Sequence, residues 1–340
     1  MEAIEIISVN CCGEVGDVII RGVAAPPGKS VFEKAQFIKE DKKLWHFILN
    51  EPRGGVFKHV NLLVPSSDPK ASIGFIIMEP EDIPPMSGSN AICVVTVLLE
   101  KGIIPITESE MKITLEAPGG LIQAVAECKN KKVESVKITN LPSFVVEFEK
   151  EIKVDNLGKL KVSTAFGGDS FVLVDNSELN IDISPENADS IVSICSKIVR
   201  ATNEQLGFKH ALIPNIKSVS FCMLMNEIYT NNDNIKCGRN TVCIRPRKLD
   251  RSPCGTGTSA WLAYLYMKDK ISLKEKFISN SILNTEFECK LIEEKTFDGF
   301  KCVIPQIKGQ AWITGEQKLL VNELNPFPLG YRLTDTWPKV

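Results

Sequence analysis

The sequence predicts a duplicated α+β domain, and three observations point to it. Two short turns look alike: Met86-Ser87-Gly88-Ser89-Asn90 and Asp250-Arg251-Ser252-Pro253-Cys254-Gly255-Thr256-Gly257-Thr258. In each, a hydroxyl or thiol residue stands directly before Gly, and small polar residues follow. Each turn runs into a stretch that is apolar on every side, 91–99 and 260–267, as a helix inside a core would be. The surrounding elements recur in the same order, displaced by roughly 150–170 residues. At 340 residues the chain has room for two ordinary domains.

Residues 4–22 read as two strands about a turn at Cys12-Gly13-Glu14. Ser30 and Glu33 make a capping-box pattern ahead of Phe32, Ala35, Phe37 and Ile38, which places a helix start near Val31. Residues 44–49 continue the helical region until Glu51-Pro52-Arg53-Gly54-Gly55 ends it. Strands are expected at 59–64 and 73–78, then the first turn and its helix as far as Gly102. The valines of 91–99 would also suit a buried strand; the Ser/Asn start and the length through Lys101 favour the helix. Strands follow at 111–115, 121–128 and 133–138.

In the second half, residues 162–174 fold back on themselves at Gly167-Gly168-Asp169. Ser184 and Pro185 open a helix with Ala188, Ile191, Val192, Cys195, Ile198 and Val199 on one face, closing at Gly207. Strands at 218–225 and 240–245 lead into the second turn and its buried helix. Further strands are expected at 287–292, 300–304 and 310–314, and residues 326–337 carry no readable pattern. The repeat sets the expected domains at 1–158, joined by the tail 326–340, and 159–325, with a site in the cleft between the copies.

Composition narrows the partners. The chain is 44% hydrophobic and 24% charged with a net charge of −2, ordinary globular values that give no reason to expect nucleic acid or an anionic membrane. The longest apolar runs are about nine residues, short of the roughly 20 that a membrane span needs. The acidic start Met-Glu-Ala-Ile-Glu lacks the basic segment of a signal peptide, so a cytoplasmic protein is expected. Eleven cysteines with no C-x-x-C, and only His46, His59 and His210, argue against a zinc framework. Most of these cysteines sit in apolar stretches and suit inert core positions. Gly255-Thr256-Gly257-Thr258 lacks the Lys of a Walker A loop and the full G-x-G-x-x-G of a dinucleotide fingerprint. Neither turn contains a His for a Cys–His pair.

The turns themselves suggest acid–base chemistry. The free N–H groups of a helix start bind anions. Two such starts aimed at one ligand would hold a carboxylate between Ser87 and Cys254. A thiol at a helix N-terminus is expected to have a lowered pKa, making Cys254 a thiolate and general base at neutral pH. Taking the proton next to a carboxylate creates an enediolate-like charge, which helix N-termini stabilise. Asp250 either holds a substrate ammonium group or braces the turn. Ser87 is a far poorer base than a thiolate but an adequate hydrogen-bond donor.

Six segments together closely resemble the proline racemase family: Gly13-Glu14-Val15-Gly16-Asp17, Glu51-Pro52-Arg53-Gly54, the two turns, Ala165-Phe166-Gly167-Gly168-Asp169, and the ending from Pro326-Phe327-Pro328 to Trp337. The resemblance implies the diaminopimelate epimerase-like fold: two pseudo-symmetric domains, each a curved, mostly antiparallel sheet wrapped around a central buried helix. It also implies no PLP or other cofactor, no metal, a homodimer, and a ring imino acid held between the domains. Carried onto this chain, Ser87 and Cys254 flank the α-carbon as the catalytic pair. Backbone N–H groups of Gly88, Ser89, Gly255 and Thr256 hold the carboxylate, with Asn90 in the same binding turn, and Asp250 holds the ring nitrogen.

Family racemases carry Cys in both turns and a His two residues after the first; here those positions are Ser87 and Ser89. This version resembles the branch that dehydrates trans-3-hydroxy-L-proline, some of whose members also epimerise 4-hydroxyproline. The expected reaction is therefore cofactor-independent dehydration of trans-3-hydroxy-L-proline to a pyrroline-2-carboxylate. The alternatives are 4-hydroxyproline 2-epimerase or proline racemase activity, and a silent imino-acid binder that keeps only the carboxylate nest. Where relatives often have a His before Gly-Glu-Val-Gly, this chain has Cys11-Cys12.

Overall fold

Along β1 (Ile4–Cys11) Ile4 and Ile6 are buried on one face and Ile7, Val9 and Cys11 on the other, with Glu5, Ser8 and Asn10 half-buried, so the strand is covered on both sides. The computed structural model describes residues 3–210, 213, 216–297, 300–322 and 324–338. β2 (Glu14–Val15) and β3 (Asp17–Arg21) both run antiparallel to β1. Ser30 caps α1 (Val31–Asp41) by accepting from the Glu33 N–H, as its sequence pattern predicts. The Glu33 carboxylate reaches back to the Lys29 N–H rather than to that of Ser30. The helical region is two helices, because Lys42 turns to φ 60° and α2 (Lys43–Leu49) starts at once. β4 (Val60–Val64) is parallel to β3, and β5 (Ile73–Met78) is antiparallel to β4. Then come α3 (Gly88–Glu100), β6 (Glu110–Ala117) parallel to β5, β7 (Gly120–Lys129) antiparallel to β6, and β8 (Lys132–Thr139). The stretch 91–99 is helix, not strand.

The same pairings recur. β9 (Phe144–Val154) and β10 (Gly158–Phe166) are antiparallel, as are β10 and β11 (Ser170–Asp175). After α4 (Ala188–Gln205), β12 (Phe221–Met225) lies parallel to β11. β13 (Tyr229–Thr230) and β14 (Lys236–Ile244) form a hairpin, and β14 is antiparallel to β12. β15 (Lys248–Leu249) leads to α5 (Gly255–Met267). β16 (Phe277–Asn280) is then parallel to β14, and β17 (Glu286–Phe297) and β18 (Phe300–Gly309) follow antiparallel. β19 (Ala311–Leu319) returns to pair antiparallel with β1.

The chain divides into residues 1–138 with 309–340, and residues 139–308. The division therefore falls before 139 and 309, not after 158 and 325 as the repeat suggested. The cause is β9 and β19, the last strand of each repeat. β9 pairs with β10 and so belongs with the second unit, while β19 pairs with β1 and belongs with the first. No strand was expected at 144–154. Its Glu147-Phe148-Glu149-Lys150-Glu151 run reads as a solvated loop until β10 supplies the partner. The tail beyond 325 docks on the first unit. Arg332 Nε donates to Asn50 Oδ1 at 2.6 Å, and Trp337 Nε1 donates to Glu81 Oε1 at 2.7 Å.

Each unit holds one apolar helix at its centre. α3 is buried at every residue from Gly88 to Leu99 and packs on β1, β3, β7 and β19. α5 packs on the matching β10, β11, β17 and β9. The amphipathic helices join separate clusters: Val31, Ala35 and Ile38 of α1 with Ile6, Leu62 and Ile76, and Ile191, Cys195 and Ile198 of α4 with Val172, Val174 and Leu224. The protein is an α+β fold in which sheets enclose central helices. Among the described residues no helix is long and apolar enough to cross a membrane.

One loop of the first unit is held by a single carboxylate. Glu116 accepts from Ser66 Oγ at 2.5 Å, from the N–H groups of Ser67 and Asp68 at 2.6 and 3.0 Å, and from Ser67 Oγ. Burial alone would raise its pKa; these donors outweigh it and bring it from 4.5 to about 2. The folded-state value is depressed, so the stabilisation is complete above about pH 4.5 and fades as pH falls towards 2. Glu116→Gln is expected to cost about 2–3 kcal/mol at pH 7 and almost nothing near pH 2. Urea unfolding at both pH values checks this, and an equal cost at both would refute it.

Candidate active site

In the first unit, Ser87 is the N-cap of α3, in extended conformation (φ −145°, ψ 122°), and its side chain accepts no backbone N–H of the helix. The first N–H groups of any α-helix have no partner within it, so Gly88, Ser89 and Asn90 present three donors beside the Ser87 hydroxyl. Asn90 Nδ2 donates to Ser87 Oγ at 2.9 Å, and Ser89 Oγ lies 3.5 Å from it. Asn90 Oδ1 in turn accepts from Asn61 Nδ2 at 2.8 Å. The close seat of this turn depends on Gly16, where an added Cβ would come within 2.8 Å of Cys93 Sγ and 3.0 Å of Asn90 Oδ1.

The Gly16 segment is anchored by buried charge. Lys58 Nζ lies 3.4 Å from Asp17 Oδ2, and both side chains are almost wholly buried. Burial raises the Asp17 pKa, and the Lys58 charge opposes that rise. Asp17 Oδ1 also accepts the Val9 N–H at 3.2 Å.

In the second unit, Cys254 is the N-cap of α5 but in a different conformation (φ 59°, ψ 98°). A positive φ is costly for a residue with a side chain and is typical of strained functional turns. It turns Sγ back over the first helical turn, where the thiol accepts from the Gly257 N–H at 3.4 Å and lies 3.8 Å from Thr256 Oγ1. Gly257 has no room for a side chain: a Cβ would meet Val242 Cγ2 at 3.0 Å and Cys254 Sγ at 3.1 Å. The two turns, alike in sequence, thus differ in backbone. In one an Asn side chain donates to the cap heteroatom, and in the other the backbone does.

Asp250 braces the second turn. Its Oδ1 accepts from Ser252 N–H at 2.8 Å and Ser252 Oγ at 2.9 Å, and Ser252 Oγ accepts from Cys254 N–H at 3.1 Å. Beneath the helix start, Thr258 Oγ1 donates to Pro253 O at 2.9 Å and lies 2.8 Å from Ser279 Oγ, which accepts from Asn240. Asn140 Nδ2 donates to Gly167 O and to Ser259 Oγ, each at 2.8 Å.

The thiolate expected from helix geometry does not form in the free protein. Cys254 is only 5% exposed, and burial pushes its pKa well above the usual thiol range. The neighbouring Asp250 carboxylate pushes it further, and burial and Asp250 together outweigh the Gly257 N–H and Thr256, which act the other way. At pH 7 Cys254 is therefore a neutral thiol, held so first by burial and then by Asp250.

Of the residues expected from sequence, Ser87, Gly88, Ser89 and Asn90 cluster at the start of α3, and Asp250, Cys254, Gly255 and Thr256 at the start of α5. Sequence reading missed Asn61, Ser252, Asn140 and the Thr258–Ser279–Asn240 chain. The one available signal was an Asn inside an apolar strand, as in Val60-Asn61-Leu62. All eleven cysteines are buried, and among the described residues no group of three or more His, Cys, Asp or Glu is arranged to hold a metal ion.

The sequence model of the family described as proline racemase matches residues 6–332. A hydroxyproline epimerase from Agrobacterium vitis with bound trans-4-hydroxy-L-proline is 35% identical, with a TM-score of 0.92 over 99% of this chain and 96% of that one. A probable proline racemase from Agrobacterium radiobacter with bound carbonate is 36% identical, with a TM-score of 0.91 over 98% of each. A phenazine biosynthesis protein of the PhzF family from Bacillus anthracis shares the fold at 13% identity, with a TM-score of 0.57 over 94% of this chain and 100% of that one.

Proposed function

Because the chain belongs to the proline racemase family, matched over residues 6–332, we propose that it removes the α-proton of a ring imino acid, and that it dehydrates trans-3-hydroxy-L-proline. The observation that carries the dehydratase reading is the inequality of the two turns, a thiol at Cys254 and a hydroxyl at Ser87. Inverting an α-carbon calls for a competent base on each face, whereas dehydration needs one base and one donor.

In this reading the helix N–H groups at Gly88 and Ser89, and those at Gly255 and Thr256, bind the substrate carboxylate. The ring ammonium sits by Asp250 and offsets the negative charge that keeps the Cys254 proton on, so substrate binding itself prepares the base. The thiolate takes the α-proton, and the helix dipoles stabilise the charge that spreads onto the carboxylate. The electrons from the broken Cα–H bond form a ring double bond as the 3-hydroxyl leaves, protonated by Ser87 or a water. The enamine then tautomerises in solution to a pyrroline-2-carboxylate.

A second reading, epimerisation of 4-hydroxyproline, is favoured by the 35% identity to the Agrobacterium vitis hydroxyproline epimerase. Incubating the purified protein with trans-3-hydroxyproline, 4-hydroxyproline and proline in D2O separates the two. The dehydratase yields a pyrroline carboxylate from the 3-hydroxy substrate. α-Deuteration with inversion and no ring unsaturation would reject it in favour of the epimerase.

A further inference from the structure

A buried amide chain runs beneath Ser87 that the chemistry above does not use. Asn61 sits in β4 with no exposed surface. Its amide nitrogen shares its two hydrogens among three acceptors, two of which are the carbonyl oxygens of Gly16 at 3.1 Å and Asp17 at 3.2 Å. Carbonyl oxygens only accept, so the orientation of the Asn61 amide is fixed. The same nitrogen donates to Asn90 Oδ1 at 2.8 Å, which fixes Asn90 in turn and leaves its Nδ2 to donate to Ser87 Oγ at 2.9 Å. Among the described residues Asn61 Oδ1 has no hydrogen-bond partner. An orphaned buried acceptor is a standing cost, so the side chain is kept there for its donor end.

We propose that Asn61 and Asn90 are positioning residues that hold the Ser87 hydroxyl as a hydrogen-bond donor, so that the substrate meets an acid on this face and a base only at Cys254. The proposal rests on the reading of Ser87 as a substrate-facing residue. An oxygen that already receives an N–H is a weaker base, and its own proton must point elsewhere. The second turn shows the contrast. There the donor is the Gly257 backbone N–H at 3.4 Å rather than an Asn side chain, with Thr256 Oγ1 3.8 Å from the thiol.

The consequence is one-way proton traffic. Cys254 thiolate accepts the α-proton, the C–O bond breaks with its electron pair going to oxygen, and the Ser87 proton completes the departing water. Exchange with solvent then returns a proton to Ser87 and removes the one held by Cys254, so the cycle closes without any other reactant.

A double-mutant cycle tests this, reading dehydration and α-proton exchange in D2O separately. Asn90→Ala is expected to lower kcat for dehydration by ~10–100-fold with KM changed less than about threefold, while exchange driven by Cys254 persists. In a Ser87→Ala background the same change should cost less than about twofold, because its effect passes through Ser87. Asn90→Asp, which turns an acceptor towards Ser87, should fall below Asn90→Ala, and Asn61→Ala should reproduce the Asn90→Ala pattern if the latter folds poorly. Equal losses in both backgrounds, or equal losses of exchange and dehydration, would mean a structural role and overturn the relay. If no imino acid turns over, the functional reading fails and the relay is judged by NMR instead. The Asn90 side-chain amide protons should exchange slowly with water and shift on Ser87→Ala; fast exchange or no shift refutes it.

Discussion

Replacing Cys254 by alanine should lower α-proton exchange by ~10³–10⁴-fold while leaving imino-acid binding within a few-fold, because in the proposed mechanism the thiol serves as the base and the helix N–H groups do the binding. Isothermal titration and exchange in D2O measure the two separately. Loss of binding and exchange together would show that Cys254 shapes the site rather than serving as its base. Cys254→Ser should recover little, since an alcohol is a far weaker acid than a thiol and gives a negligible amount of base at neutral pH. The same reasoning sets the pH dependence. The free-enzyme thiol titrates above the usual thiol range, so it is protonated at pH 7. Base catalysis needs the thiolate, so kcat/KM should rise about tenfold per pH unit and show no plateau near pH 8.5. Asp250 is one of the two groups holding the proton on, burial being the other. Asp250→Asn should therefore bring the rising limb to lower pH while raising KM. A limb that stays where it is would mean that burial alone sets the thiol.

Gly167→Ala should be the most damaging small substitution in the second unit. A Cβ there would fall 2.1 Å from Thr256 O and 2.4 Å from Ala260 N, backbone atoms of the first turns of α5. Neither can give way without moving the helix start that carries Cys254. Overpacking of a well-filled core typically costs about 1–3 kcal/mol, and a clash with backbone belongs at or beyond the upper end. Activity should fall by ~100-fold or more, since a displacement of about 1 Å at the reacting group costs that much. Gly102→Ala is the control. Gly102 has φ +68° and nothing within 4 Å of the added carbon, so that change should cost about 1 kcal/mol of backbone strain and leave turnover alone. Thermal melts and kcat/KM for the pair decide it, and equal effects would refute the steric account.

Several features were legible because their signals lie within a few residues of each other. Ser30 and Glu33 announced the start of α1, and the runs 91–99, apolar but for Thr96, and 260–267 announced α3 and α5. The Ser-Gly and Cys-Gly steps marked both turns. The strand at 144–154 was not legible, because its alternating charges make sense only against β10. Asn61 escaped notice for a similar reason: a lone Asn in a strand shows neither the carbonyls it binds nor Asn90.

By itself the sequence determined where the helices begin, which of them are buried, and which two side chains stand at the special turns. Those are matters of capping, periodicity and residue size, each settled locally. Only the tertiary structure decided that Cys254 takes φ +59° while Ser87 stays extended, that the thiol is neutral, and that Asn90 donates to Ser87. Backbone strain, desolvation and amide orientation depend on neighbours brought in from distant parts of the chain, and no window of the sequence contains them.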